Sequence, residues 1–189
     1  MADTTLELAA ALSALEPPVF MFGGVAEDAV LDGALTRPHS DVDVLLPRHE
    51  LDLRLQQFAA LGYTNWETWL SDSTGRAQVL HSADHAAELE VSIFDGEAGA
   101  YWFELENPRG GHFHFHAPPD IFGHGPVSLD GLAVRTVTPH ALYMIRAALI
   151  KAGSFGEPRP NDLAVQPRLR ALLDGVDEAA LEPRLDSVP

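Results

Sequence analysis

Residues 23–46 read GGVAEDAVLDGALTRPHSDVDVLL, and two glycines at the front with an Asp-x-Asp at the back govern how the surrounding chain folds. The apolar run Val19-Phe20-Met21-Phe22 ahead of them predicts a buried strand entering a tight turn at Gly23-Gly24. AEDAVLDGAL then has helical character, and Thr36-Arg37-Pro38-His39-Ser40 breaks it, because the residue before a proline avoids the α region. DVDVLLP (41–47) alternates acid and aliphatic residues, the pattern of a strand with one polar face. Side chains at i and i+2 leave a strand from the same face. Asp41 and Asp43 therefore stand side by side, while Val42, Val44 and Leu45 anchor the strand in the core.

Two carboxylates this close repel each other unless a cation lies between them. Mg²⁺ suits that position, since it takes oxygen ligands and commonly uses one or two carboxylates plus substrate phosphates. Gly23 and Gly24 let backbone N–H groups approach a phosphate without interference from a Cβ. Together these features describe a site for a nucleoside triphosphate. Taken alone, an Asp-x-Asp is usually a solvated strand face and a Gly-Gly usually a turn; the fixed separation of the two, with Arg37 and His39 between them, carries the weight.

Outward from this stretch, TLELAAALSALE (4–15) has helical spacing and is closed by Pro17-Pro18, and a second helix is predicted over 49–61, ended by Gly62. From Tyr63 to Val134 the pattern turns mostly to strands, at 63–69, 77–81, 87–94, 112–116 and 132–137. A helix returns over 139–152, with Thr138 as its cap and Pro139 at its first position. GSFGEPRP reads as a linker, followed by short closing helices at 161–174 and 177–182. The expected architecture is α/β (α+β): a mixed sheet flanked by helices over residues 1–137, then a small helical region over 138–189.

With 46% hydrophobic and 21% charged residues in 189, the chain has the composition of a globular protein. It contains no cysteine, so any metal must take oxygen or imidazole ligands. The N-terminus carries Asp3, Glu7 and Glu16 with no basic region before its apolar stretch, unlike a signal peptide, so a cytoplasmic location without membrane contact is expected. Twenty-eight acids against twelve bases give a formal charge of −16, and Lys151 is the one lysine. Such a chain repels bulk nucleic acid and favours a cationic substrate, or a divalent metal carried in with a nucleotide. Solubility alone is the plainer explanation of the charge.

The string Gly23-Gly24-x-Ala26-x-Asp28, then Thr36-Arg37-Pro38-His39-x-Asp41-x-Asp43, resembles the signature of the aminoglycoside nucleotidyltransferase-like proteins, within the DNA polymerase β-type nucleotidyltransferase superfamily. Pro139-His140-Ala141-Leu142-Tyr143-Met144-Ile145-Arg146-Ala147 is similar to the family's helix that begins with Pro-Glu and carries a Lys toward the nucleotide, and Asn161-Asp162-Leu163 resembles its closing Lys-Asp segment. The resemblance implies transfer of a nucleoside monophosphate, AMP from ATP, to a hydroxyl of a small, aminoglycoside-like acceptor, an antibiotic-resistance type of activity. It implies two Mg²⁺ ions held by three carboxylates, with Asp41 and Asp43 bridging both. The third should come from a later strand. Glu90 in AELEVSIFDG (87–96) is the choice, since Leu89, Val91 and Ile93 point to the opposite face; Glu88 is the alternative, and Asp95 lies at the strand end. Arg37 either contacts the triphosphate or braces its loop by pairing with Asp28, and Arg146 occupies the place of the family's phosphate-facing Lys. His140 departs from the family's Glu.

Competing readings are a toxin-like or regulatory nucleotidyltransferase acting on tRNA or protein, and a nucleotide- or metal-binding module without catalysis, which a missing third carboxylate would mark. Gly110-Gly111-His112-Phe113-His114-Phe115-His116 raises a further one, because alternate histidines on a strand share a face and suit Zn²⁺ or Ni²⁺. The favoured reading there is a strand with phenylalanines packed inward and histidines facing solvent or the acceptor pocket. Trp66, Trp69, Tyr101 and Trp102 are candidates for stacking on a base or sugar, although aromatics in strands are more often core.

Overall fold

The computed structural model describes residues 4–97, 99–106, 110–153 and 157–188. In chain order it contains α1 (Thr4–Ser13), β1 (Phe20–Phe22), α2 (Gly23–Leu31) and β2 (Asp41–Pro47). A 3-10 turn (Arg48–Glu50) leads into α3 (Leu51–Ala60), then β3 (Glu67–Ser71), β4 (Ala77–Ser82), β5 (Glu88–Phe94), β6 (Trp102–Glu106) and β7 (His112–His116). The hairpin β8 (Val127–Leu129) and β9 (Leu132–Val134) precedes α4 (Pro139–Ala152), α5 (Pro160–Ala171), a 3-10 turn (Glu178–Leu181) and β10 (Leu185–Val188).

The main sheet has the order β1-β2-β5-β4-β3, and β2–β5 is its parallel pair. Both central strands are buried along their aliphatic side, with Val42, Val44, Leu89 and Val91 fully enclosed, as a parallel pair covered by helices requires. α1 and α2 cover β2. A second sheet, β10-β7-β6, stands beside the first and joins it through the bridge between Asp95 and Trp102. Phe94, Phe103 and Phe115 fill the junction. Among the described residues no helix is long and apolar enough to cross a membrane.

The mixed sheet flanked by helices is the expected architecture, and β2, β7 and α4 have the expected bounds. Thr138 Oγ1 caps α4 by accepting from Ala141 N at 3.1 Å. Elsewhere the structure differs. Gly23-Gly24 is the first turn of α2, with no separate turn before the helix. Residues 63–66 are not strand, because Asp84 takes the backbone N–H groups of Thr64 and Asn65 at 2.6 and 2.8 Å. β9 stops at Val134, and Arg135 and Val137 instead exchange backbone hydrogen bonds with Met21 of β1. β6, β8 and β10 are strands that the sequence pattern does not announce. The C-terminal segment carries α5 over most of the expected 161–174, a 3-10 turn where a helix is expected over 177–182, and then β10, which pairs antiparallel with β7. Within the expected linker, residues 154–156 lie outside the described residues.

Candidate active site

The parallel register of β2 and β5 sets Asp41 opposite Glu88 and Asp43 opposite Glu90, so four carboxylates leave the sheet on one face. Asp41, Asp43 and Glu90 each offer an oxygen, and the three oxygens lie within 4.8 Å of one another. It is the one such group among the described residues. Glu88 turns to His81, 3.0 Å from its Nε2. Asp95 is held at the far end of β5 by Arg48, at 2.7 and 2.8 Å. Of the three acids that the sequence offers as a third carboxylate, Glu90 is therefore the one that joins the pair.

Burial raises the pKa of Asp43 well above the ordinary aspartate value. The charges of Glu90, Asp41 and Glu27 raise it further, against a backbone hydrogen bond from Gly24. Burial, then Asp41, likewise raises Glu90, and His81 opposes. These are desolvated, mutually repelling carboxylates with oxygen donors only. That donor set fits a hard divalent cation such as Mg²⁺.

The two glycines allow the close approach of α2 to this group. Gly23 has φ +65°, and a Cβ there would fall 2.0 Å from Asp43 Oδ2. At Gly24 a Cβ would fall 2.6 Å from Arg37 Nη2 and 2.8 Å from His39 Cε1. In this arrangement the Gly24 N–H already serves Asp43, at the positive end of the helix.

Asp28, four residues further along α2, fixes the loop that enters β2. It accepts from Thr36 N and Thr36 Oγ1 at 2.8 Å each and lies 3.0 Å from His39 Nε2. Burial works to raise its pKa, but these hydrogen bonds outweigh burial and leave it lowered. Thr36 and His39, not Arg37, thus brace the loop against Asp28. Arg37 is exposed on the cavity rim, with no carboxylate in ion-pair range among the described residues.

Arg146 lines the same cavity but is 9% exposed and heavily engaged. Its Nε donates to Glu27 Oε1 at 2.8 Å, its Nη2 donates to the same oxygen, and its Nη1 donates to Asp162 Oδ1. Asp162 also accepts from the Arg159 backbone N–H and side chain. Only the remaining guanidinium N–H groups are left for a ligand. Glu27 is a site residue that the sequence reading missed. It is 3% exposed, and its Oε2 is buried without a hydrogen-bond partner. The available signal was its spacing: Glu27 lies at i+4 from Gly23 on a helix, hence on the face that meets Asp43.

The cavity in front of these residues has a volume of about 910 Å³. Arg37, Arg146 and Arg159 line it beside α2, α4 and α5, while Glu104, Glu106 and Trp69 line it from β6 and the outer strand β3.

The histidine strand reads the plain way. His112 and His114 lie 3.4 and 3.3 Å from Glu104, and His116 lies 2.8 Å from Asp186. Among the described residues they belong to no group with metal-ligand spacing. Trp66, Tyr101 and Trp102 pack on Phe58, Phe122 and His114 respectively. His140 lies 3.2 Å from Asp120 and 3.1 Å from the Ala180 carbonyl, and it does not line the cavity.

A family model described as aminoglycoside-2''-adenylyltransferase matches residues 5–163. Among solved structures, the crystal structure of ANT(2'')-Ia in complex with adenylyl-2''-tobramycin superposes with a TM-score of 0.65 at 19% identity, covering 96% of this chain and 95% of that one. The solution structure of the antibiotic-resistance factor ANT(2'')-Ia gives 0.62 at 18%, covering 95% and 88%. At these identities the structural likeness speaks for the fold. No curated protein matches the sequence.

Proposed function

The chain belongs to the aminoglycoside-2''-adenylyltransferase family, a family of nucleotidyltransferase enzymes, and from that premise we propose that it transfers AMP from ATP to a hydroxyl of a cationic amino sugar. The observation that carries the reading is the group of Asp41, Asp43 and Glu90, three carboxylates whose oxygens converge within 4.8 Å beside the N-terminus of α2. A third carboxylate beside the Asp pair also favours an active enzyme over a module that has lost catalysis.

Asp41 and Asp43 are the residues that would hold Mg²⁺, with Glu90 completing the site and two ions as the working number. Bound there, the metal would neutralise triphosphate charge and ease deprotonation of the acceptor hydroxyl. Glu90 takes the proton from that hydroxyl. Arg37 orients the triphosphate from the α2 side, and the remaining N–H groups of Arg146 support it from α4. Positioning and charge neutralisation supply most of the rate enhancement for such a displacement. The exposed Glu106 on the opposite wall, and a net charge of −16, favour a cationic acceptor over a polyanion such as tRNA. ANT(2'')-Ia holds adenylyl-2''-tobramycin in its crystal structure, which makes tobramycin the first acceptor to try.

The test is calorimetric titration of ATP and the other nucleoside triphosphates with Mg²⁺, on wild type and an Asp41→Ala/Asp43→Ala variant, followed by pyrophosphate release with tobramycin. Metal-dependent ATP binding that the variant lacks is the expected result. A wild type that binds no nucleotide overturns the proposal.

A further inference from the structure

Trp69 is half exposed on the outermost strand of the main sheet, an expensive place for the largest apolar side chain. Its position is built. β3 and β4 pair Thr68 with Leu80 and Leu70 with Val79, which leaves Trp69 as the extra residue of a β-bulge. Bulges recur beside active sites, where they re-aim a side chain. Trp69 and Leu70, both exposed, line the cavity. One face of the Trp69 indole lies on the His81 ring, with centroids 3.7 Å apart and planes 17° from parallel. His81 is buried and held by Glu88 at 3.0 Å. His81 also sits directly opposite Glu90 in the β4–β5 register. Trp69 and Glu90 thus line one cavity, with His81 on the strand between theirs.

We propose that Trp69 is the stacking platform for the acceptor, receiving the ring of a cationic amino sugar and turning one of its hydroxyls toward Glu90. The inference rests on the nucleotidyl-transfer reading and adds the residue that selects the acceptor. Charge complementarity names the occupant. The wall that carries Trp69 shares the cavity with Glu90 and the exposed Glu106, so an ammonium-bearing ring meets both an indole face and carboxylates. A cation over an indole face is attracted by the ring quadrupole, and the C–H face of a pyranose gives the ring apolar contact. A phosphate is repelled by the acidic half of this arrangement.

The test uses the full-length protein with Mg²⁺-ATP and with tobramycin as separate probes, on wild type, Trp69→Ala and Trp69→Phe. Tobramycin is expected to change wild-type tryptophan fluorescence, and Trp69→Phe to bind it with similar affinity but without most of that change. Trp69→Ala is expected to raise the KM for tobramycin roughly tenfold and to lower kcat as the hydroxyl loses its orientation, with ATP affinity held near wild type. Trp69→Ala with wild-type tobramycin affinity overturns the proposal, and so does a wild type that binds Mg²⁺-ATP but not tobramycin. A wild type that binds tobramycin through Trp69 but no nucleotide supports the platform while the nucleotidyl-transfer reading fails. A side chain so exposed contributes little to stability, and equal melting temperatures of the three proteins check that the fold is intact.

Discussion

Gly23 and Asp43 share one small volume: the carboxylate of Asp43 occupies the space where any side chain at position 23 would begin, with Oδ2 2.0 Å from the Cβ site. The φ of +65° at Gly23 adds a second reason for glycine, since L side chains pay about 1–2 kcal/mol in the left-handed region. Gly23→Ala is expected to lower stability by at least that amount and to displace Asp43, reducing nucleotidyl transfer about 100-fold or more. Gly75 separates the two effects, because it has φ +81° and nothing within 4 Å of its Cβ site. Gly75→Ala should carry the strain and keep the activity. Melting curves and steady-state rates on the two variants measure both.

The raised pKa of Asp43 makes a prediction about metal-free protein. A carboxylate whose folded pKa lies above its unfolded value of 3.8 contributes stability that is present below 3.8 and lost as pH rises through the folded value. At neutral pH the ionised group therefore destabilises the fold, with burial and the charges of Glu90, Asp41 and Glu27 as the causes. Asp43→Asn keeps an acceptor for the Gly24 N–H and removes the charge. Without metal at pH 7.5 it should melt higher than wild type, and the gap should close below pH 4. Adding Mg²⁺ should raise the melting temperature of wild type and leave the variant unchanged.

Arg146 should matter to folding before it matters to nucleotide. Arg146→Met strands Glu27 in the interior, whereas Asp162 keeps Arg159, and breaking a buried ion pair costs about 3–5 kcal/mol. For a chain of this size that is roughly 10 °C in melting temperature. Glu27→Gln combined with Arg146→Met should recover part of the loss, and a double-mutant cycle by denaturant unfolding measures the coupling.

Asp72 controls the turn between β3 and β4. Burial would raise its pKa, but hydrogen bonds from Thr74 and Arg76 outweigh burial and hold it at about 2. Its contribution to stability is present above the ordinary value of 3.8 and lost as pH falls from there through about 2. Asp72→Asn should be less stable than wild type at neutral pH, and the two should converge near pH 2. Urea unfolding across pH 2–7 reads the convergence directly.

Much of the site was legible because it is written in local periodicity. The i, i+2 spacing of Asp41 and Asp43 fixes their shared face whatever the rest of the chain does, and the cap at Thr138 starts α4 from its own sequence. Short strands such as β8 and β10 escape that kind of reading. Three or four residues hold too little pattern, and β10 exists because β7 offers it an edge.

The sequence by itself determined the Asp pair, the glycines that admit a helix terminus to it, and a mixed α/β architecture. Each of these follows from backbone geometry over a few residues. Only the tertiary structure decided that Glu90 joins the pair while Glu88 turns to His81, since both acids share a strand face and the difference lies in which side chains the neighbouring strands bring. It also decided that Glu27 meets Arg146 across 119 residues, and that a bulge aims Trp69 at the cavity. Periodicity tells which way a side chain points, but contacts between distant segments depend on register and packing, which no local pattern encodes.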